Sequence, residues 1–289
     1  MPLFSIITPI NFIPDTFDLC CKSILNQTNK SFEWIIVLNG RQIKQRELEV
    51  FMEPYDLRNI KIINSNDDSG PSKSRNIGIK KSEGKFIVFL DSDDYLEDNF
   101  LNELSSIIKD IKHEKFAICS EGHKYSKTEG VIGRNNLIFN TKKLTKSEIS
   151  LNWIGSISGF VLKNNSNIYF DERLSLYEDY NFYIGLMSSK IPIFSSRKLK
   201  YYYCISEVSL TKEIQRNYPN RIYKAKKILE SSSKKHSMYL KILINMQTKR
   251  LSYKFLKKYL KFILFTLVIF LINPKYFYYS LKREIKNIN

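Results

Sequence analysis

Four short apolar runs lie within the first ninety residues, and segments of helical spacing separate them. The runs are Phe4–Thr8 (FSIIT), Glu33–Leu38 (EWIIVL), Ile60–Ile63 and Phe86–Leu90 (FIVFL). Each is short enough for a strand and apolar on both faces. Between them, Phe17–Leu25 puts Phe17, Cys20, Cys21 and Ile24 on one helical face, and Ile43–Met52 also reads as helix. A third helix starts at Pro71, whose missing N–H costs nothing there, and runs to about Ser82 before Gly84. Strands buried on both sides and separated by helices predict a mainly parallel sheet, Rossmann-like, with helices on each face. Ligands of such sheets bind beyond the carboxyl ends of the strands. The segments to inspect are therefore Pro9–Phe12, Asn39-Gly40, Asn64–Gly70 and Asp91–Asp94.

The middle of the chain is less regular. Phe116–Cys119 and Val131–Phe139 read as strands, and Thr145-Lys-Ser-Glu148 is a capping box opening a short helix. Ile157–Leu162 is apolar, Ser175–Asp179 precedes a helix, and Ile191–Tyr203 contains another strand. After Thr211 the pattern becomes helical and basic. The expected domains are 1–211 and a helical appendage, 212–289, and 289 residues suffice for both. Four cysteines without a CxxC pair and three scattered histidines argue against a zinc site or disulfide framework and fit a reducing compartment. No basic stretch precedes the first apolar run, which reads as a strand rather than a signal peptide.

Asp91, Asp93 and Asp94 follow directly on the fourth apolar run. Carboxylates crowded at a strand end repel one another unless a cation is present. Mg²⁺ or Mn²⁺ favours this setting, bridging one or two carboxylates to substrate phosphates. A diphosphate leaving group needs the same neutralisation. The plain alternative is an acidic turn capping the helix near Glu97.

The ordered set Ser5–Pro9 (SIITP), Ser23–Thr28 (SILNQT), Phe32–Gly40 (FEWIIVLNG), Gly70–Gly78 (GPSKSRNIG), Gly84–Asp94 (GKFIVFLDSDD) and Glu178-Asp179-Tyr180 resembles the family 2 glycosyltransferases of the GT-A fold. The likeness covers about residues 3–211, with the best motifs before Leu96. It implies an inverting hexosyl- or N-acetylhexosaminyl-transferase that takes its sugar from a nucleoside diphosphate, UDP first, and passes it to a hydroxyl of a glycan or lipid-linked acceptor. By the same likeness Asp91 contacts the ribose or the metal, Asp93 ligates Mn²⁺ or Mg²⁺ under the diphosphate, and Asp179 is the catalytic base. Arg75 lies near the nucleotide, Ser92 belongs to the nucleotide-sugar site, and Pro9 and position 39 line the base pocket. Two positions depart from the pattern. Most members carry Asp where this chain has Asn39, although an amide oxygen still accepts from a uracil imide N–H. Where many have Arg-x-His, this chain reads Tyr203-Cys204-Ile205-Ser206, which puts Ser206 in place of a metal-ligating His. The metal would then lean on Asp93, phosphate and water. Ser209-Leu210-Thr211 still resembles the segment that closes over the diphosphate.

Inverting transfer needs one carboxylate within hydrogen-bond reach of the acceptor hydroxyl. Of the pair Glu178-Asp179, the resemblance favours Asp179; an acidic first helical turn is the structural alternative. The net charge of +17 is concentrated: residues 212–261 hold 15 Lys and Arg against Glu213 and Glu230. Such a segment implies an anionic partner or a solvated helix face. Phe262–Ile272 follows, an apolar run spanning only about 16 Å as helix, too short for a bilayer core. With Lys254, Lys257, Lys258 and Lys261 before it and Lys275, Tyr276, Tyr278 and Tyr279 after, it suits a helix at an anionic membrane interface. A buried helix closing the core is the alternative. The expected location is the cytoplasmic face of the cell membrane. Two other functions compete: a nucleic-acid-binding protein using the basic tail, which lacks any recognition motif for that role, and a GT-A scaffold whose catalysis has decayed, as Asn39 and Ser206 would allow.

Overall fold

A computed structural model describes residues 1–205 apart from 40–42, 66–69, 137–141, 146–147, 150–153 and 175–176. The four apolar runs form β1 (Phe4–Ile10), β2 (Phe32–Leu38), β3 (Ile60–Asn64) and β4 (Phe86–Phe89). The intervening helices are α1 (Phe17–Leu25), α2 (Gln45–Met52) and α3 (Gly70–Lys81). These four strands are parallel, in the order β3-β2-β1-β4. The order reverses at β1, which has β2 on one side and β4 on the other. In open α/β sheets such a reversal opens a crevice at the carboxyl ends of the two strands. Adjacent residues of one strand serve opposite layers. Ile6 and Val88 pack with α1, α2 and α4 (Phe100–Asp110), whereas Ile7, Ile87 and Phe89 pack with Ile79 of α3 and Phe182 of α5 (Glu178–Ser188). That two-sided burial is why the strands read as unbroken apolar runs.

Beyond β4 the sheet departs from the mainly parallel expectation. Its later members are β5 (Tyr95–Leu96), β6 (Ala117–Ser126), β7 (Gly130–Arg134), β8 (Lys142–Lys143), β9 (Phe160–Lys163) and β10 (Ile193–Cys204). β9 lies antiparallel between β4 and β6; β5 and β8 are antiparallel to β10, and β7 to β6. Among the described strands of this half, only β6 and β10 are parallel. The sheet is therefore mixed, because the strand–helix alternation that enforces parallel pairing stops after residue 90. The strand expected over Val131–Phe139 ends at Arg134 as described, and residues 137–139 lie outside the described set.

The predicted capping box is made: the Thr145 N–H donates to Glu148 Oε2 at 2.8 Å, and Thr145 Oγ1 accepts the Glu148 N–H at 3.3 Å. All four cysteines are buried free thiols. Among the described residues no helix is long and apolar enough to cross a membrane. The basic segment, Phe262–Ile272, the boundary after residue 211, Ser206 and Ser209-Leu210-Thr211 lie outside the described residues.

Candidate active site

The carboxyl ends of β1, β2 and β4 meet in register. Pro9 pairs with Val37 and Ile10 with Leu38, and the Asn39 N–H donates to the Ile10 carbonyl at 2.7 Å. The Leu90 N–H donates to the Ile7 carbonyl at 3.0 Å, which sets Asp91 beside Pro9 at the crevice. Asn39 is buried, and its amide oxygen accepts the Gly70 N–H at 3.2 Å, so it fastens the start of α3 to the end of β2. Gly70 has a φ of 81°, which only glycine adopts without strain.

Asp91, Ser92, Asp93 and Asp94 form a tight turn, with the Asp94 N–H on the Asp91 carbonyl at 3.1 Å. Three neighbours hold it. The Asp91 N–H donates to Ser158 Oγ at 3.1 Å, Thr16 Oγ1 donates to the Asp93 carbonyl at 2.9 Å, and the Cys204 N–H donates to Asp94 Oδ1 at 3.0 Å. Asp94 is thus the buried strut between the turn and the end of β10. Burial, with Asp93 and Asp91 beside it, holds its carboxyl well above the usual range. Asp93 and Ser92 are half-buried.

Arg75 is the electrostatic centre of the site. The residue is 3% exposed, and its guanidinium donates to Asp91 Oδ1 at 2.6 Å and to Glu178 Oε1 at 3.3 Å and lies 5.4 Å from the centre of the Phe170 ring. Burial disfavours its charge, but Asp91 and Glu178 outweigh that effect. Polar neighbours on α3 explain how the acidic pair arrives opposite. Asn76 donates to the Phe170 carbonyl at 3.0 Å and accepts the Phe170 N–H at 2.8 Å, while Ser72 Oγ donates to the Leu174 carbonyl at 3.0 Å. These bonds pin the segment that leads into α5. Gly78 lets α3 sit directly on β1, since a Cβ there would overlap Ile7. Tyr177 precedes α5 with a φ of 59°, a left-handed conformation uncommon outside glycine.

The pair that follows is divided. Glu178 is bound to Arg75, whereas Asp179 accepts the adjacent Tyr180 N–H at 2.6 Å. Burial first and Glu178 second push the Asp179 carboxyl up to about 7. Asp93 is pushed up to about 6 by burial and by Asp91, and among the described residues no Lys or Arg pairs with it. The structure therefore brings Asp91, Asp93, Arg75 and Asp179 to one site, with Pro9 and Asn39 at the adjoining strand ends.

Thr16, Ser158 and Phe170 belong to the site without a sign in the sequence, and Tyr203 belongs to it too, marked in the sequence only as part of the stretch that stands in place of Arg-x-His. Tyr203 lies within electrostatic range of Asp94, Asp93, Asp91 and Asp179, and burial raises its phenol. A hydroxyl or ring distant in sequence gives no local sign that it will buttress a turn. For Tyr203, the alternation of β10, which sets it opposite to Tyr202 and Cys204, is a second sign.

Residues 5–168 match the model of the glycosyl transferase family 2. The chain belongs to that family. An uncharacterized glycosyltransferase of Haemophilus influenzae is 32% identical over 129 residues, which are 43% of this chain and 51% of that protein. The minor teichoic acid biosynthesis protein GgaA of Bacillus subtilis is 29% identical over 214 residues, 70% of this chain and 47% of its own. The poly(ribitol-phosphate) beta-N-acetylglucosaminyltransferase TarS of Staphylococcus aureus is 27% identical over 215 residues, 70% and 35% respectively. This family 2 chain thus spans about half, or less, of the length of these relatives. The crystal structure of TarS 1-349 in complex with UDP-GlcNAc superposes with a TM-score of 0.68 at 18% identity, over 88% of this chain and 73% of that one. That likeness shows the family's GT-A fold.

The donor set can be tested against a divalent cation. Among the described residues no three His, Cys, Asp or Glu are grouped to hold a metal. Asp93 nevertheless supplies a half-buried carboxylate lacking a Lys or Arg partner among those residues, beside an Asp91 committed to Arg75. That suits a hard cation held by one carboxylate and by substrate phosphates, rather than by a protein cage.

Proposed function

We propose that this family 2 chain transfers a hexosyl or N-acetylhexosaminyl group from a nucleoside diphosphate, UDP first, to a hydroxyl of a glycan or lipid-linked acceptor, with inversion. One observation carries the reading. Arg75 takes up Asp91 and Glu178, and leaves Asp179 as a carboxyl raised to about 7, close to the best value for a proton acceptor at neutral pH. Asp179 accepts the acceptor's hydroxyl proton as that oxygen bonds to the anomeric carbon, and the bond from that carbon to the diphosphate oxygen breaks. No enzyme nucleophile takes part. Asp91 meets the ribose, Ser92 the sugar nucleotide, and Pro9 and Asn39 the base; Arg75 fixes the direction of Asp91 and Glu178. Asp93 would hold Mn²⁺ or Mg²⁺, which supplies charge neutralisation to the leaving diphosphate. Family membership supports the donor class, and so do the relatives: the TarS structures hold UDP-GlcNAc and UDP. The segment 212–289 attaches the enzyme to an anionic membrane surface on the cytoplasmic side.

Asp179→Asn tests the assignment. It is nearly isosteric and cannot take a proton, so turnover should fall by about 10²–10⁴ while donor affinity is kept. In the wild type, kcat/KM should fall as pH drops below about 7, because protonation removes the base. A variant that turns over normally at saturating donor, or that keeps this acid limb, would refute the role of Asp179.

A further inference from the structure

We propose that the groove between α1, β5 and β10 is a subsite for an uncharged stretch of the acceptor glycan, outside the acidic cluster; the proposal rests on the glycosyl-transfer reading above. The groove has a volume of about 680 Å³, within the roughly 300–1,000 Å³ usual for ligand sites. Its lining suits a sugar chain. The rings of Tyr95 and Tyr202 stack at 4.5 Å and 10°, and Tyr95 and Tyr125 meet in a T-shaped pair at 5.3 Å and 88°, so the aromatic wall is braced. Tyr202 also meets the His123 ring at 5.6 Å and 32°; as braced lining residues, Tyr95 and Tyr202 offer a pyranose apolar ring surface at little cost in entropy. Exposed Asn26 and Asn99 add amides that both donate and accept, as hydroxyl groups require.

Charge narrows the ligand class. Lys22 lies 2.7 Å from Asp18 and Lys200 lies 3.1 Å from Glu97, so both lysines of the lining are matched by carboxylates, and Asp98 adds another. A polyanionic chain would meet no surplus of positive charge there. The groove also leads to the chemistry. Tyr95 lies two residues beyond Asp93, where the strand leaves the turn, and so at most about 7 Å away along the backbone. Leu19 of the lining is one helical turn past Thr16, whose hydroxyl holds the Asp93 carbonyl. A chain lying in the groove therefore runs toward the acidic turn.

The test uses the full chain and two variants. Asn26→Trp fills the groove from an exposed position, so the fold is kept; Tyr202→Ala removes half of the aromatic wall. Titration of a panel of uncharged oligosaccharides of glucose, mannose and N-acetylglucosamine, beside a ribitol-phosphate polymer, is followed by NMR or calorimetry. At least one uncharged oligosaccharide should bind, both variants should weaken it by about tenfold or more, and Asp179→Asn should bind it like the wild type. Diphosphate release from donor without acceptor should persist in Asn26→Trp. No binding by any uncharged oligosaccharide, binding untouched by both variants, or loss confined to the ribitol-phosphate polymer would overturn the subsite. Absence of diphosphate release in the wild type with every donor would refute the glycosyl-transfer reading instead, whatever the groove binds.

Discussion

Asp91, Asp93, Glu178 and Asp179 put four carboxylates around a buried guanidinium, that of Arg75, and Asp94 lies beside Asp91 and Asp93. The cluster is under-neutralised, and Asp93, Asp94 and Asp179 are all raised, by burial first and by the neighbouring carboxylates second. The sign of the pH dependence follows. A carboxyl raised in the fold stabilises below its unfolded value, near 4, and that contribution is lost as pH rises through about 6 for Asp93 and about 7 for Asp179. Lowered groups such as Glu33 and Glu148 lose stability only at lower pH, as pH falls through their folded values. The ligand-free protein should therefore melt at a lower temperature at pH 8 than at pH 5. Asp93→Asn removes one of the repelling charges and should raise the pH 8 melting temperature, while abolishing Mn²⁺-dependent donor binding. A wild-type melting temperature that rises from pH 5 to 8, or a variant that still binds donor with Mn²⁺, would count against this account.

At the scale of elements, α3 works as the bracket of the site. It buries polar residues, and Ser72, Arg75 and Asn76 among them bind the segment that ends in α5. An ordinary amphipathic helix would bury apolar residues there, which is why the sequence pattern disclosed where α3 lies but not what its polar residues bind. Asn76→Ala would leave the Phe170 N–H and carbonyl without their partner, at a cost of about 1–3 kcal/mol. Because the same segment carries Asp179, turnover should fall more than donor affinity. Thermal unfolding and a comparison of kcat with donor KM check this; an unchanged melting temperature with full turnover would show that α3 does not brace the base. The Asp94 carboxyl on the Cys204 N–H is a comparable tie, joining the acidic turn to the last described strand.

For the whole molecule, the charge distribution is the strongest feature outside the site. Residues 212–261 carry 15 cations against two acids, and the apolar run Phe262–Ile272 follows directly. Stable peripheral attachment takes two such signals. Lys and Arg near an anionic surface contribute about 1 kcal/mol each, a contribution that salt screens, whereas apolar insertion is insensitive to salt. The full chain should therefore sediment with anionic liposomes, salt should weaken this only in part, and truncation after Arg250 should release it with donor hydrolysis retained. Failure of the full chain to bind liposomes, together with unfolding on truncation, would assign the tail to the core.

The sequence alone determined the first four strands and their helices, because burial on both faces and helical spacing leave local marks in residue order. It also marked Asp91, Asp93, Arg75 and Asp179 as candidates, through an ordered set of short motifs. Only the tertiary structure decided that the later strands run mostly antiparallel, since strand direction there depends on pairings between segments far apart in the chain. It alone joined Arg75 to Asp91, 16 positions away, and to Glu178, 103 positions away. The same holds for the elevated carboxyl of Asp179, because desolvation and neighbouring charge are properties of assembled space, and no residue carries them in its own identity.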